Sequence, residues 1–177
     1  TKLIHSSTDY VYEGWENQPL KESDKTGPLN VYGKSKLRGE ESALSKNPET
    51  LIIRTSWVYS YYGHNFVKTM IRLLKEKKEL NVVNDQIGSP TNAADLAFVI
   101  MQIIKLHLEG KKIKGILNYS NTGETSWFQF AQFIKEQTGS QCEIHPVTTA
   151  QYATPATRPE YSVLDTTLIK SLTGIKI

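Results

Sequence analysis

The 177-residue chain carries 21 Lys and Arg against 18 Asp and Glu, a formal charge of +3, and 38% of its residues are hydrophobic. That balance is ordinary for a globular protein and gives no argument for nucleic acid as a partner, since no basic stripe with interleaved aromatics appears. The densest basic stretch, 109–114, reads as a solvated loop. One cysteine, Cys142, leaves no internal disulfide and no thiol pair for a metal. His5, His64, His107 and His145 are scattered, with no i,i+4 pair, which argues against catalytic zinc. No apolar run reaches the roughly 18 residues of a membrane span and no signal peptide is read, so a reducing, cytoplasmic setting is expected. The sequon Asn118-Tyr-Ser120 reads as chance.

In chain order, 2–6 reads as a buried strand that runs into Ser6-Ser-Thr-Asp-Tyr-Val-Tyr12. Because the chain starts at Thr1 without a methionine and is already in a strand at Lys2, it is expected to be the interior of a longer protein. The Gly, Pro and polar residues of 13–28 suit a surface loop. A helix is expected over 29–46, with apolar positions at Leu29, Tyr32, Leu37 and Leu44 and a stop at Asn47-Pro48. Leu51-Ile-Ile53 is a short apolar strand leading into Arg54-Thr-Ser-Trp57. Three further helices carry stripes at a 3.6-residue period: Phe66, Met70, Leu73 and Leu74; then Leu96, Val99, Ile100, Ile103 and Ile104; then Trp127, Phe130, Ala131 and Ile134. Gly110 and Gly139 close the last two. Strands are expected between them at 80–83, 116–119 and 143–147. This alternation predicts an α/β protein with a largely parallel sheet.

The chemistry concentrates in Tyr32-Gly-Lys-Ser-Lys36. An i,i+4 spacing sets the Tyr32 phenol and the Lys36 ammonium on one helical face. A free phenol ionises near pH 10 and is a poor acid or base at neutrality, whereas an adjacent cation stabilises phenolate and brings the group toward a useful range. Taken alone, the pair is a weak signal and reads first as an exposed lysine beside a half-buried tyrosine. Thr8 adds a hydroxyl at the end of a strand, and the order of these segments gathers hydroxyl, phenol and ammonium where ligands collect in open α/β sheets.

Five segments resemble the extended short-chain dehydrogenase/reductases, and within them the dTDP-4-dehydrorhamnose reductases. They are Ser7-Thr-Asp-Tyr-Val-Tyr12, Pro28-Leu-Asn-Val-Tyr-Gly-Lys-Ser-Lys36, Arg54-Thr-Ser-Trp-Val-Tyr59, Asn84-Asp-Gln-Ile-Gly-Ser-Pro-Thr91 and Arg158-Pro-Glu-Tyr-Ser162. The resemblance implies the C-terminal part of a Rossmann-like doubly wound parallel sheet plus a smaller α/β substrate-binding lobe. Residues 1–60 would complete the dinucleotide-binding domain, and 61–177 would form mainly the substrate lobe, with 91–120 returning to the core sheet. It also implies that Thr8, Tyr32 and Lys36 are catalytic, with Tyr32 and Lys36 at the cofactor ribose, and that Thr8, Asp9 and Trp57 line a deoxyhexose pocket. The reaction implied is NADPH-dependent reduction of a sugar 4-keto group, with NADH as the other possible donor, a homodimer as the assembly, and magnesium in some members.

Other positions keep two readings. Arg158 is either a bidentate partner of a nucleotide diphosphate or a surface arginine. Asn65 is either a helix N-cap or a substrate contact. Asp9 could serve as a turn former as well as a ligand. Arg54 is expected to be structural, Gln86, Gly88 and Thr91 to shape a loop, Cys142 to be buried, and the aromatic stripe around Trp127 to be core.

No Gly-x-x-Gly-x-x-Gly turn for a pyrophosphate occurs in the chain, and Gly174-Ile-Lys-Ile177 is expected to stop short of a last family helix. By itself the chain is therefore expected to bind NADPH weakly. Two alternatives to the rhamnose reductase remain open: another sugar-nucleotide reductase, epimerase or dehydratase, and a non-catalytic regulatory subunit similar to that of methionine adenosyltransferase.

Overall fold

The computed structural model describes residues 2–15, 17–152 and 154–177. Thr1, at the head of the expected first strand and lobe, Glu16, in the expected 13–28 loop, and Ala153 lie outside the described residues.

Strands β1 (Ile4–Thr8) and β2 (Leu51–Thr55) pair in parallel across helix α1 (Val31–Lys46). A short strand β3 (Val58–Tyr59), helix α2 (Phe66–Glu76) and strand β4 (Glu79–Val83) follow. Strands β5 (Ile87–Gly88) and β6 (Thr91–Asn92) lead into helix α3 (Ala93–Leu108) and strand β7 (Gly115–Asn118). The chain continues through β8 (Thr125–Ser126), α4 (Trp127–Thr138), β9 (Glu143–Val147) and α5 (Thr167–Thr173).

The central sheet has the order β1-β2-β7, and both of its pairings are parallel. A second parallel pair joins β4 to β9, and short ladders join β3 to β6 and β5 to β8. Every residue of β2 is buried, as an apolar run covered on both faces must be. In the opening strand Ser7 and Thr8 are buried, Ile4 and His5 half-buried and Ser6 exposed.

Two cores follow from the helical stripes. Leu51, Ile53, Leu96, Val99, Ile103, Leu117 and Ile169 build one around β2, β7 and α3. Met70, Leu74, Val82, Ala131, Ile134, Cys142 and Ile144 build the other, between α2, α4 and the β4–β9 pair. α4 starts on a capping box between Ser126 and Gln129 and ends at Gly139 in the left-handed conformation. α5 is an element the sequence pattern does not announce, because its seven residues give too short a stripe. Ile169 nonetheless anchors it in the first core.

Two further expectations change. The 13–28 segment is not a plain surface loop: Leu20 is buried with Val11, Tyr12 and Leu164. The apolar positions of α1 form its inner face only in part: Leu37 packs against that cluster. Gly33 and Glu40 are its buried residues, while Tyr32 is 54% exposed.

Candidate active site

β1 ends in Thr8, whose hydroxyl accepts from the Tyr10 amide at 3.2 Å and donates to Asp9 Oδ1 at 3.0 Å. This turns the chain into a 3-10 turn, Asp9–Val11, and buries Asp9. Burial pushes the Asp9 carboxyl up to about 7, with the Ser162 and Thr8 hydroxyls and the Asp9 and Tyr10 amides opposing part of the rise. Asp9 Oδ2 is buried without a hydrogen-bond partner. Burial, and then the Asp9 charge, push the Tyr10 phenol up to about 12, against the pull of Arg158.

Helix α1 is seated on that turn. Asn30 caps it by accepting from the Gly33 amide at 2.8 Å, and its own amide reaches the Thr157 carbonyl at 2.8 Å. Gly33 lets the helix approach, because a β-carbon there would meet the Tyr10 carbonyl and Pro28. The result sets the Tyr32 ring edge-on to Tyr10, with centroids 6.0 Å apart. One turn further along, Lys36 Nζ donates to the Ser6 carbonyl at 2.7 Å, fixing the ammonium beside the end of β1. Thr8, Tyr32 and Lys36 thus converge on one strand end.

Beneath them lies a buried ion pair. Arg54 grips Glu40 through Nε at 3.0 Å and Nη2 at 2.7 Å, and donates to the Tyr12 hydroxyl at 2.7 Å. The guanidinium also sits over the Tyr12 ring, 4.8 Å from its centroid. Burial works against the charge, but Glu40 and Tyr12 more than offset it, and the Arg54 pKa rises. Tyr12 in turn donates to the Lys21 carbonyl at 2.9 Å. The expected structural arginine therefore ties α1, β2 and the segment after β1 into one unit. Asn118 is buried and donates to the Leu20 carbonyl at 2.8 Å, which closes the sequon to modification in the folded protein.

A cavity of about 410 Å³ opens beside Tyr10, bounded by Phe66, Gln86, Trp127, Tyr152 and Arg158 among others. Of the residues expected at the substrate, Arg158 stands in this wall, with Nη1 donating to Thr154 Oγ1 at 2.9 Å. Trp57 is stacked flat on Trp127, centroids 3.5 Å apart and planes 7° apart, so one indole face is already covered. Trp57 holds a left-handed φ of +46°, uncommon for a bulky residue, and a β-carbon at Gly88 would run into its ring at 2.5 Å. Asn65 resolves as an N-cap, its oxygen accepting from the Lys68 amide at 3.1 Å and its nitrogen donating to the Ser60 carbonyl at 2.7 Å. Asp9 is enclosed against Thr8 rather than facing the cavity. Thr91 is fully buried, and its amide donates to the Trp57 carbonyl at 3.2 Å, so the 84–91 block shapes the Trp57 turn.

Trp127 belongs to the core as expected and also forms cavity wall. Sequence reasoning missed Tyr10, Gln86, Tyr152 and Thr154 as wall residues. Tyr10 had a signal, since it lies inside the same motif as Thr8. The others come from distant loops. Among the described residues no helix is long and apolar enough to cross a membrane, and no group of three or more His, Cys, Asp or Glu is arranged to hold a metal ion.

Parallel strands linked through helices define the class as a Rossmann-like α/β fold. The chain belongs to the RmlD substrate binding domain family, whose profile matches residues 1–177. It is 45% identical over 181 residues to dTDP-4-dehydrorhamnose reductase of Sinorhizobium fredii, covering 99% of this chain and 61% of that protein. The structure of a dTDP-4-dehydrorhamnose reductase from Clostridium acetobutylicum superposes with a TM-score of 0.90 at 41% identity, over 98% of this chain and 59% of that one. A Bacillus anthracis dTDP-4-dehydrorhamnose reductase in complex with NADP gives 0.89 at 40% identity, over 99% and 60%. The chain thus spans about three fifths of the length of the relatives it matches.

Proposed function

We propose that the protein bearing this chain is a cytoplasmic NADPH-dependent reductase that converts the 4-keto group of dTDP-4-dehydro-L-rhamnose to the alcohol of dTDP-L-rhamnose. The observation that carries the reading is the convergence of Thr8, Tyr32 and Lys36 at the end of β1, in a chain of this family. Under this reading residues 1–60 belong to the dinucleotide-binding domain and 61–177 mainly to the substrate lobe, with 91–120 rejoining the central sheet.

The donor set suits a nicotinamide dinucleotide, because an accessible phenol and an ammonium on one helix face match ribose hydroxyls. That cofactor supplies the hydride when bound. Tyr32 delivers the proton to the developing alkoxide, and Thr8 holds the same oxygen. Lys36 stands one turn from Tyr32, its ammonium held beside the end of β1 by the Ser6 carbonyl. Arg158 offers the sugar nucleotide's phosphates a planar pair of donors at the cavity wall. Trp127, backed by the stacked Trp57, offers the deoxyhexose an apolar wall.

The test uses the enzyme at its native length with dTDP-4-dehydro-L-rhamnose and NADPH, following absorbance of the reduced nicotinamide. Rapid loss of signal, reduced at least 100-fold by Tyr32→Phe, is expected for a general acid that contributes about 10²–10⁴-fold. A folded protein with no turnover on this or other sugar nucleotides, isolated with a stoichiometric partner, would establish the regulatory alternative instead.

A further inference from the structure

Asp9 is 2% exposed and ionisable, and the scheme above gives it no task. Its two oxygens are treated differently by the fold. Oδ1 accepts the Thr8 hydroxyl proton at 3.0 Å, and Oδ2 is buried without a well-formed hydrogen bond, the Ser162 hydroxyl being the further donor toward the carboxyl. A hydroxyl has one proton and two lone pairs. With that proton on Asp9 and one lone pair taken by the Tyr10 amide, Thr8 faces a ligand only as an acceptor. A keto oxygen is also only an acceptor, so the arrangement cannot hold one.

A proton on Asp9 reverses this. The carboxylic acid then donates to Thr8 Oγ1, and the Thr8 hydrogen is released toward the ligand. We propose that Asp9 is the positioning residue that sets the direction of the Thr8 hydroxyl, making it a donor to the keto oxygen when Asp9 is protonated and an acceptor from the product alcohol when Asp9 is ionised. Asp9 transfers no proton to the substrate, and the one that reaches the alkoxide is Tyr32's. The inference rests on the reductase reading.

The surroundings favour a neutral Asp9. A buried carboxylate with one oxygen unsatisfied is costly, and the acid form needs fewer partners. The ionisable groups on the elements around it include Tyr10 on its own turn, Tyr32, Lys36 and Glu40 on α1, Arg158 on the C-terminal segment, and Arg54 on β2. Lys36 is held by the Ser6 carbonyl, Arg54 is neutralised by Glu40, and Arg158 acts on Tyr10. None of them is hydrogen-bonded to the carboxyl through a side chain. Burial leaves its pKa at about 7, within reach of the cell's pH, and Ser162 is the neighbour that most holds it down.

Two readouts test the proposal on the enzyme at its native length. Carbon-13 NMR of labelled aspartate should show the Asp9 carboxyl, identified by its absence in Asp9→Asn, titrating near neutrality and moving to higher pH in Ser162→Ala. An Asp9 that stays ionised from about pH 5 to about 9 overturns the idea. In turnover, the rate of keto reduction should fall as pH rises through about 7. Asp9→Asn, which has no titrating proton, should flatten that limb, and Ser162→Ala should displace it upward. Retained turnover with an unmoved limb overturns this inference alone. No turnover at any pH, with Asp9 still titrating, overturns the reductase reading and this one with it.

Discussion

The Tyr10 carbonyl occupies the space that a β-carbon on Gly33 would take, so helix α1 reaches the end of β1 only because residue 33 has no side chain. Gly33 sits between Tyr32 and the turn carrying Thr8, and it therefore sets the spacing of the two groups argued to share one substrate oxygen. Gly33→Ala must push the helix outward. A misplacement of about 1 Å is expected to lower kcat on the order of 100-fold. Steady-state kinetics would check this, with circular dichroism showing that the fold survives.

The Arg54–Glu40 pair is buried on both sides, with side chains 3% and 2% exposed. Glu40→Gln leaves the guanidinium without a counter-charge in the interior, and the loss expected is about 3–5 kcal/mol. Replacing both partners by apolar residues of similar volume should cost much less. Denaturant unfolding of the single and double variants separates the two outcomes. A single variant as stable as the wild type would show that the pair contributes nothing.

Gly88 and Trp57 make a second contact that tolerates no side chain. Gly88→Ala would press on the indole edge at Cε2, Cζ2 and Nε1 and break the flat stack on Trp127. The near-ultraviolet circular dichroism of the tryptophans should change, and KM for the sugar nucleotide should rise more than kcat falls. Unchanged tryptophan spectra would contradict the arrangement.

Asp9 also links stability to pH. Its folded pKa of about 7 lies above the ordinary 3.8, so the protein binds this proton more tightly than the unfolded chain does. The resulting stabilisation is complete below about pH 4 and is lost as pH rises through about 7, a change on the order of a few kcal/mol. Asp9→Asn should remove that slope and be the more stable protein above neutrality. Thermal unfolding at a series of pH values gives the comparison.

Much of this protein was legible in its residues. The stripes of α2, α3 and α4, the apolar run of β2 and the i,i+4 placement of Tyr32 and Lys36 depend on neighbours a few positions away, so local spacing specifies them. The partners of Glu40, the cover on Trp57 and the enclosure of Asp9 do not. A helix pattern cannot mark Glu40 as buried, because the charge that makes burial tolerable is Arg54 on another element. Trp57 meets Trp127 only because β5 pairs with β8 at the start of α4. Thr8, Asp9 and Tyr10 are adjacent in sequence, yet burial by α1 and by the segment around Ser162 decides that one binds Tyr32's ring, one turns inward and one keeps the hydroxyl. Sequence by itself determined most of the elements and the shared helical face of Tyr32 and Lys36, because those follow from short-range periodicity. Tertiary structure decided which polar groups lose their water, and desolvation is what turns Asp9 from a turn residue into a group poised near neutral pH.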